Sequence, residues 1–307
     1  MVKVKYSVIA LACLIATVGA PGAFAADMPA PTQWALANGV HLRYELSGHG
    51  ADTVVLLHEM STSLETWDFV APVLARHHRV LRYDLRGFGL SERTHGELTM
   101  DDEMEDLRGL LNVLGIHNKV TLIGGAIGGA IALNFAAVHP DQVKGVIAIS
   151  PAAYLKPGGL SANVSGAASP PVAASATAAR SWPVAASPTA SPLDAAYPVR
   201  LQQAHPDRIA RFRAIQASAD QASATATTPA AYSVGFADVL PKIQCPTLIV
   251  ATSLWMRPVA SFKELADAIP NSQFTVLETG HFAAMESPEL VTPVLQRFLQ
   301  QKAPAAR

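Results

Sequence analysis

The stretch that most constrains the fold runs from Lys119 to Val138. An apolar run, Lys119-Val120-Thr121-Leu122-Ile123, meets the turn Gly124-Gly125-Ala126-Ile127-Gly128-Gly129 and passes into a small-residue helical pattern. A short continuous apolar run reads as a strand buried on both faces. A strand that enters a helix at once must reverse its backbone within a few residues. Gly124 and Gly128 flank that reversal, where any Cβ would crowd the neighbouring backbone. The chain must therefore bury a strand–turn–helix unit inside a layered α/β structure.

The flanking sequence repeats the pattern. Residues 33–47 read as a hairpin, with Asn38-Gly39 as its two-residue turn. Thr53 to Leu57 is a buried strand, Leu64 to Arg76 has helical spacing through Trp67, Val70 and Leu74, and Arg79 to Tyr83 is another strand. Leu98 to Leu114 is an amphipathic helix with Thr99 as its N-cap and Asp101, Asp102 and Glu103 in the first turn. Val143 to Ile149 and Thr247 to Ala251 are further buried strands, a helix follows at 261–269, Gln273 to Leu277 is the last strand, and a helix over 288–300 closes the pattern. Strands alternating with helices predict a mainly parallel, eight-stranded sheet with helices on both faces.

The alternation stops between residues 152 and 240. Ala, Ser, Pro and Gly dominate 157–192, a composition that buries little apolar area. A helical segment from Arg208 to Ile215 follows, then a second Ala/Ser/Thr stretch over 217–231. This region reads as a lid inserted over the C-terminal edge of the sheet. The core then has two parts, 26–151 and 241–301, with a tail at 302–307.

Residues 1–25 read as a removable export signal. Lys3 and Lys5 form a basic start, Ser7 to Ala20 an apolar run, and Ala23-Phe24-Ala25 a small-residue cleavage site. The run is shorter than the roughly 20 residues a spanning helix needs, so a periplasmic or secreted protein with no stable membrane insertion is expected. Cleavage removes two lysines and no acid, and leaves Cys245 as the only cysteine. No internal disulfide can then form, and Cys245 reads as a small buried hydrophobe. A formal charge of −1 over 307 residues, without a basic run, gives no case for nucleic acid. No His-x-x-x-His or paired cysteines suggest a metal, and no cofactor is called for.

Taken together, these segments resemble the α/β-hydrolase superfamily over nearly all of residues 33–301. Gly124 to Gly128 is similar to the family's G-x-S-x-G nucleophile elbow. Leu57-His58-Glu59-Met60 looks like the His-Gly stretch after the third strand, and Asp84-Leu85-Arg86-Gly87-Phe88-Gly89-Leu90-Ser91 like the D-x-R-G-x-G-x-S loop. Gly280-His281-Phe282 matches the segment that carries the catalytic histidine, and Glu286-Ser287-Pro288 the E-x-P that follows it. The resemblance implies that His281 is the catalytic histidine and that the amides of Met60 and Ile127 form an oxyanion hole. His58, Asp84 and Arg86 are expected to hold loops. The closest look-alikes are small esterases, lactonases and C–C bond hydrolases with a short lid.

Three positions depart from the family pattern. Ala126 stands at the nucleophile position, inert as written, because acyl transfer needs an oxygen or sulfur there. The stretch after the penultimate strand, Ala251 to Pro258, has no carboxylate to serve as the triad acid, and Trp255 sits near where one is expected. The alternative acid site, Ser150-Pro151-Ala152, has none either. Glu59 replaces glycine and brings a carboxylate to the oxyanion rim, unless it points outward into solvent. Ala126 alone would fit an introduced Ser→Ala change, but the missing acid favours native loss of the triad. An acid from Glu278 or the lid is the remaining way to rebuild it.

Three functions remain open. One is hydrolysis of a small apolar ester or lactone. Another is lyase- or isomerase-type acid–base chemistry using His281 or Glu59. The last is small-molecule binding by a retired scaffold. Ser61 and Trp255 are expected to line the pocket in each case.

Overall fold

The computed structural model describes residues 31–93, 96–156, 203–220, 222–223 and 235–301. The segment expected to be an export signal and the 157–192 stretch, with most of 217–231, lie outside the described residues.

Asn38 and Gly39 both take the left-handed backbone, with φ of 48° and 79°, and join β1 (Gln33–Ala37) to β2 (Val40–Ser47). This is the turn an Asn-Gly pair favours, since both central residues need positive φ. β3 (Thr53–Leu57) is buried at every position. The helical spacing after it resolves into two pieces rather than one helix: a 3-10 turn over Leu64–Trp67 and the short α1 (Ala71–Leu74). Pro72 accounts for the break, because a proline is tolerated in a first helical turn but not inside a helix. β4 (Arg79–Tyr83) leads through a loop to α2 (Met100–Val113). Thr99 caps α2, with its hydroxyl accepting from the Asp102 N–H and the Asp102 carboxylate accepting from the Thr99 N–H.

β5 (Val120–Gly125) runs straight into α3 (Ala126–Val138), and β6 (Val143–Ile149) follows. In the insertion, α4 (Pro206–Ala217) is described, and Tyr154 bridges Gly235. β7 (Thr247–Thr252), α5 (Val259–Asp267) and β8 (Ser272–Leu277) complete the sheet. A short helix that the periodicity did not reveal, α6 (Ala283–Glu286), precedes α7 (Pro288–Gln300).

The eight strands order as β1-β2-β4-β3-β5-β6-β7-β8. β2 pairs antiparallel with β1 and β4, and every later pairing is parallel. Alternation along β3 sends Val55 and Leu57 to a core shared with α2, α3 and α5, and Val54 and Leu56 to one shared with Trp67, Ala283 and α7. Two buried layers hold the strand ends rigidly. Leu57 of β3 pairs with Gly124 of β5, so the segments that leave these strands emerge side by side. Cys245 is half-buried against the first core rather than fully enclosed. Among the described residues no helix is long and apolar enough to cross a membrane.

Candidate functional site

The site forms where β3, β5, β7 and β8 end. At the tip of β5, Ala126 has φ of 44°, in the region that alanine rarely enters. That conformation costs about 1–3 kcal/mol and persists only where the surroundings impose it. Here they do. A Cβ on Gly124 would overlap the backbone of Gly128, and one on Gly128 would overlap the Leu57 carbonyl. The start of α3 is thus pressed against β3, and Ala126 must make the turn. Ala152 N–H donates to the Ala126 carbonyl at 2.8 Å and fixes it from the β6 side. Ile127 is buried, and as the second residue of α3 its N–H has no acceptor within the helix.

The loop after β3 is organised by His58. Its Nδ1–H donates to the Glu59 carbonyl at 2.7 Å, and its Nε2 accepts the Leu85 N–H at 2.9 Å. Both nitrogens are used by the neutral ring, and burial pushes its pKa down to about 4. His58 is therefore a brace between two loops, as expected. Asp84 accepts from the N–H groups of Leu64 and Leu90 and from the Arg43 guanidinium, and burial raises its pKa to about 6. Arg86 reaches a different acid, pairing with Asp106 on α2. The two residues tie their loop to separate elements rather than to each other.

Glu59 does not point into solvent. Only 2% of it is exposed, and its carboxyl lies where a side chain on residue 125 would be, so that a Cβ on Gly125 would overlap it. Burial raises its pKa to about 7. Oε2 has no hydrogen-bond partner among the described residues. The hydroxyls of Thr66 and Thr62 stand beside the carboxyl, and their hydrogen bonds to it oppose the rise without cancelling it. Each also lies within donating distance of a backbone carbonyl, Thr62 of Glu59 (2.6 Å) and Thr66 of Ser63 (2.8 Å). Met60 and Ser61 follow, both half-buried, with Ser61 at φ of 60°.

His281 follows β8. Its ring stacks on Trp255, with centroids 4.3 Å apart and planes 21° apart, and meets Phe282 edge-on. Its Nδ1, the nitrogen that a triad acid would hold, has no hydrogen-bond partner among the described residues. Desolvation, and after it the Arg257 charge, lowers its pKa to about 4. Arg257 is clamped in place. It donates to the carbonyls of Pro151 (2.7 Å) and Ala153 (2.8 Å) and lies between the rings of Tyr154 and Phe262. A cation thus ties down the segment after β6, where the family's alternative acid would stand. The His281 loop is held by Glu286, which accepts the Gly280 N–H at 2.7 Å.

Helix α4 packs on this side. Ile209, Phe212 and Ile215 pack on Phe282 and Met285, with Trp255 at the edge of the cluster. Arg208 donates to the Glu286 carbonyl and pairs with Glu289, and Arg211 pairs with Asp68. The E-x-P pattern pointed to Glu286 but not to the Gly280 N–H that it accepts, and nothing in the sequence signalled the role of Arg257 or this docking. An arginine among Met256 and Pro258 carries no local signal of the carbonyls it will meet.

A sequence profile described as the alpha/beta hydrolase fold matches residues 52–288. A 2-hydroxy-6-oxo-6-(2'-aminophenyl)hexa-2,4-dienoic acid hydrolase of Metapseudomonas resinovorans is 32% identical over 114 residues, 36% of this chain and 39% of that protein. A 2-hydroxy-6-oxo-2,4-heptadienoate hydrolase of Pseudomonas putida is 34% identical over 116 residues, 36% of this chain and 41% of that protein. The matched segments thus span about two-fifths of the length of these curated relatives. Among solved structures, the enol-lactonase from Burkholderia xenovorans superposes with a TM-score of 0.73 at 23% identity, over 88% of this chain and 100% of that one. An esterase from Thermogutta terrifontis gives 0.72 at 24% identity, over 88% and 98%. At these identities the superpositions speak to the fold.

Proposed function

Since the chain belongs to the α/β-hydrolase family, whose profile spans residues 52–288, we propose that it takes a small apolar ester- or lactone-like compound into the space above Ala126 and forms no acyl-enzyme there. Hydrolases of this family, including an enol-lactonase by fold and C–C bond hydrolases by sequence, supply the substrate class. The observation that carries the rest is at His281. Nucleophilic catalysis needs an oxygen at residue 126 and a histidine whose far nitrogen is held and charged by an acid. Here the far nitrogen has no hydrogen-bond partner among the described residues, an indole covers the ring, and the charge that acts on it, Arg257, is a cation. On this reading the triad is degenerate, and Ala126 is one part of that change.

Two measurements test it. Titration with dihydrocoumarin should give saturable quenching of tryptophan fluorescence, and Trp255→Phe should remove most of that signal. No saturable change would remove the binding half. Incubation with a fluorophosphonate should leave residue 126 unlabelled, and Ala126→Ser should gain little esterase activity. A gain of several orders of magnitude would reveal an intact hidden acid instead. The proposal includes export, with mature protein beginning at Ala26; N-terminal sequencing of a periplasmic fraction checks this.

A further inference from the structure

Two groups near Ala126 can move a proton, and they differ in readiness. His281 is held neutral by burial and by Arg257. Glu59 is poised differently. The strand ends place its loop beside the elbow: Leu57, the last residue of β3, pairs with Gly124, one residue before the end of β5. The side-chain space of Gly125, the residue before Ala126, is left empty by glycine and filled by the Glu59 carboxyl. One of its oxygens is buried with no hydrogen-bond partner among the described residues. An orphaned buried carboxyl oxygen costs about 1–3 kcal/mol unless a ligand or water completes it.

We propose that Glu59 is the acid–base residue of this site, activating a water that stands where a serine hydroxyl otherwise would. The idea deepens the ester- or lactone-binding reading and rests on it. In the step, the water oxygen adds to the carbonyl carbon as one of its protons passes to the ionised Glu59 carboxylate. The Ile127 N–H faces the oxyanion that forms. The ring C–O bond then breaks, and the proton on Glu59 passes to the departing alkoxide. Lactone and water become a hydroxy acid, and Glu59 ends ionised, as it began. A carboxyl with a pKa raised to about 7 by burial is suited to both halves of this exchange at neutral pH.

The test uses the full chain with dihydrocoumarin and p-nitrophenyl acetate as probes. The protein should hydrolyse at least one of them, with no burst, at a rate that rises with pH through about 7. Glu59→Gln should lower kcat about 100-fold or more, leave KM within about threefold, and abolish the pH limb. Glu59→Asp should recover part of the rate. Glu103→Gln removes a different buried carboxyl, on α2, whose pKa is about 8, and should leave the limb in place. Retention of a third or more of kcat by Glu59→Gln, loss of the limb in Glu103→Gln as well, or no turnover of either probe by the unaltered protein would each overturn the proposal. Should Glu59→Gln fail to fold, the Glu59→Asp rate and limb carry the decision, and an unaltered profile in that variant overturns it. Failure here with saturable dihydrocoumarin binding intact would leave the binding reading standing.

Discussion

His58 and His281 are both held near pKa 4 by burial, yet they are built in opposite ways. His58 uses both ring nitrogens, one as donor and one as acceptor, to join the loop after β3 to the loop after β4. Its low pKa is the consequence of a finished job, because only the neutral ring can make both bonds. His281 has a nitrogen with no hydrogen-bond partner among the described residues and one face against an indole. A depressed pKa alone would rank the two alike. The hydrogen bonds separate a brace from a group that its surroundings have stopped supporting.

The largest expected difference between them is in stability. His58→Ala strands the Leu85 N–H and opens a cavity, which should cost about 3 kcal/mol in urea unfolding. His281→Ala loses a stacked ring and removes an unsatisfied nitrogen, and should cost about 1 kcal/mol or less. Equal losses would end the distinction.

Acid should sharpen it next. A histidine whose folded pKa lies below its unfolded value contributes stability that is present above about 6.5 and lost as pH falls through the folded pKa. For His58 the window is from 6.5 to about 4. In melts across that range, the wild type should lose about 3 kcal/mol to this group, and His58→Gln should lose correspondingly less. Glu59 has the reverse sign. Its folded pKa of about 7 lies above the unfolded 4.5, so its contribution falls as pH rises between those values. Glu59→Gln should therefore be relatively more stable at pH 8 than at pH 5. The two slopes oppose each other over nearly the same pH range, so each is read as the difference between its variant and the wild type in one series.

Much of this was legible in the sequence, and the reason is spacing. Every strand and most helices announced themselves by period, and Thr99 as a cap by type. The elbow was legible because glycine is needed where two backbones nearly touch. What was not legible was pairwise and long-range. Nothing in the letters around Glu59 says that residue 125 will leave a vacancy for it. Nothing around Arg257 says that the carbonyls of Pro151 and Ala153 will be its partners, more than a hundred positions earlier in the chain. The spacing over Leu64 to Arg76 suggested one helix, and Pro72 was the signal against it: the segment forms a 3-10 turn and then a short helix that carries Pro72 in its first turn.

A smaller effect comes from supplying His281 with what it lacks. Trp255→Asp removes the stacked ring and places a carboxylate in the stretch where a triad acid stands. The His281 pKa, followed by NMR of the ring protons, should rise by about 1 unit or more. Combined with Ala126→Ser, this change should yield more esterase activity than either substitution alone. A pKa that stays near 4 would mean that desolvation, rather than the missing acid, sets the state of the ring.

The smallest effect should come from Arg257, because its charge ranks behind burial in depressing His281. Its guanidinium does two things at once: it holds the carbonyls of Pro151 and Ala153 with a planar fork, and it sets a positive charge near the imidazole. Lysine keeps the charge without the fork. Arg257→Lys should therefore leave the His281 pKa low while loosening the segment after β6, visible as faster amide exchange near Ala152. Arg257→Met loses both, and should raise the pKa by about half a unit with similar loosening. If the lysine variant raised the pKa as far as methionine does, geometry rather than charge would be the channel. His281 would then be governed from the segment after β6, the same segment whose Ala152 N–H fixes the carbonyl of Ala126.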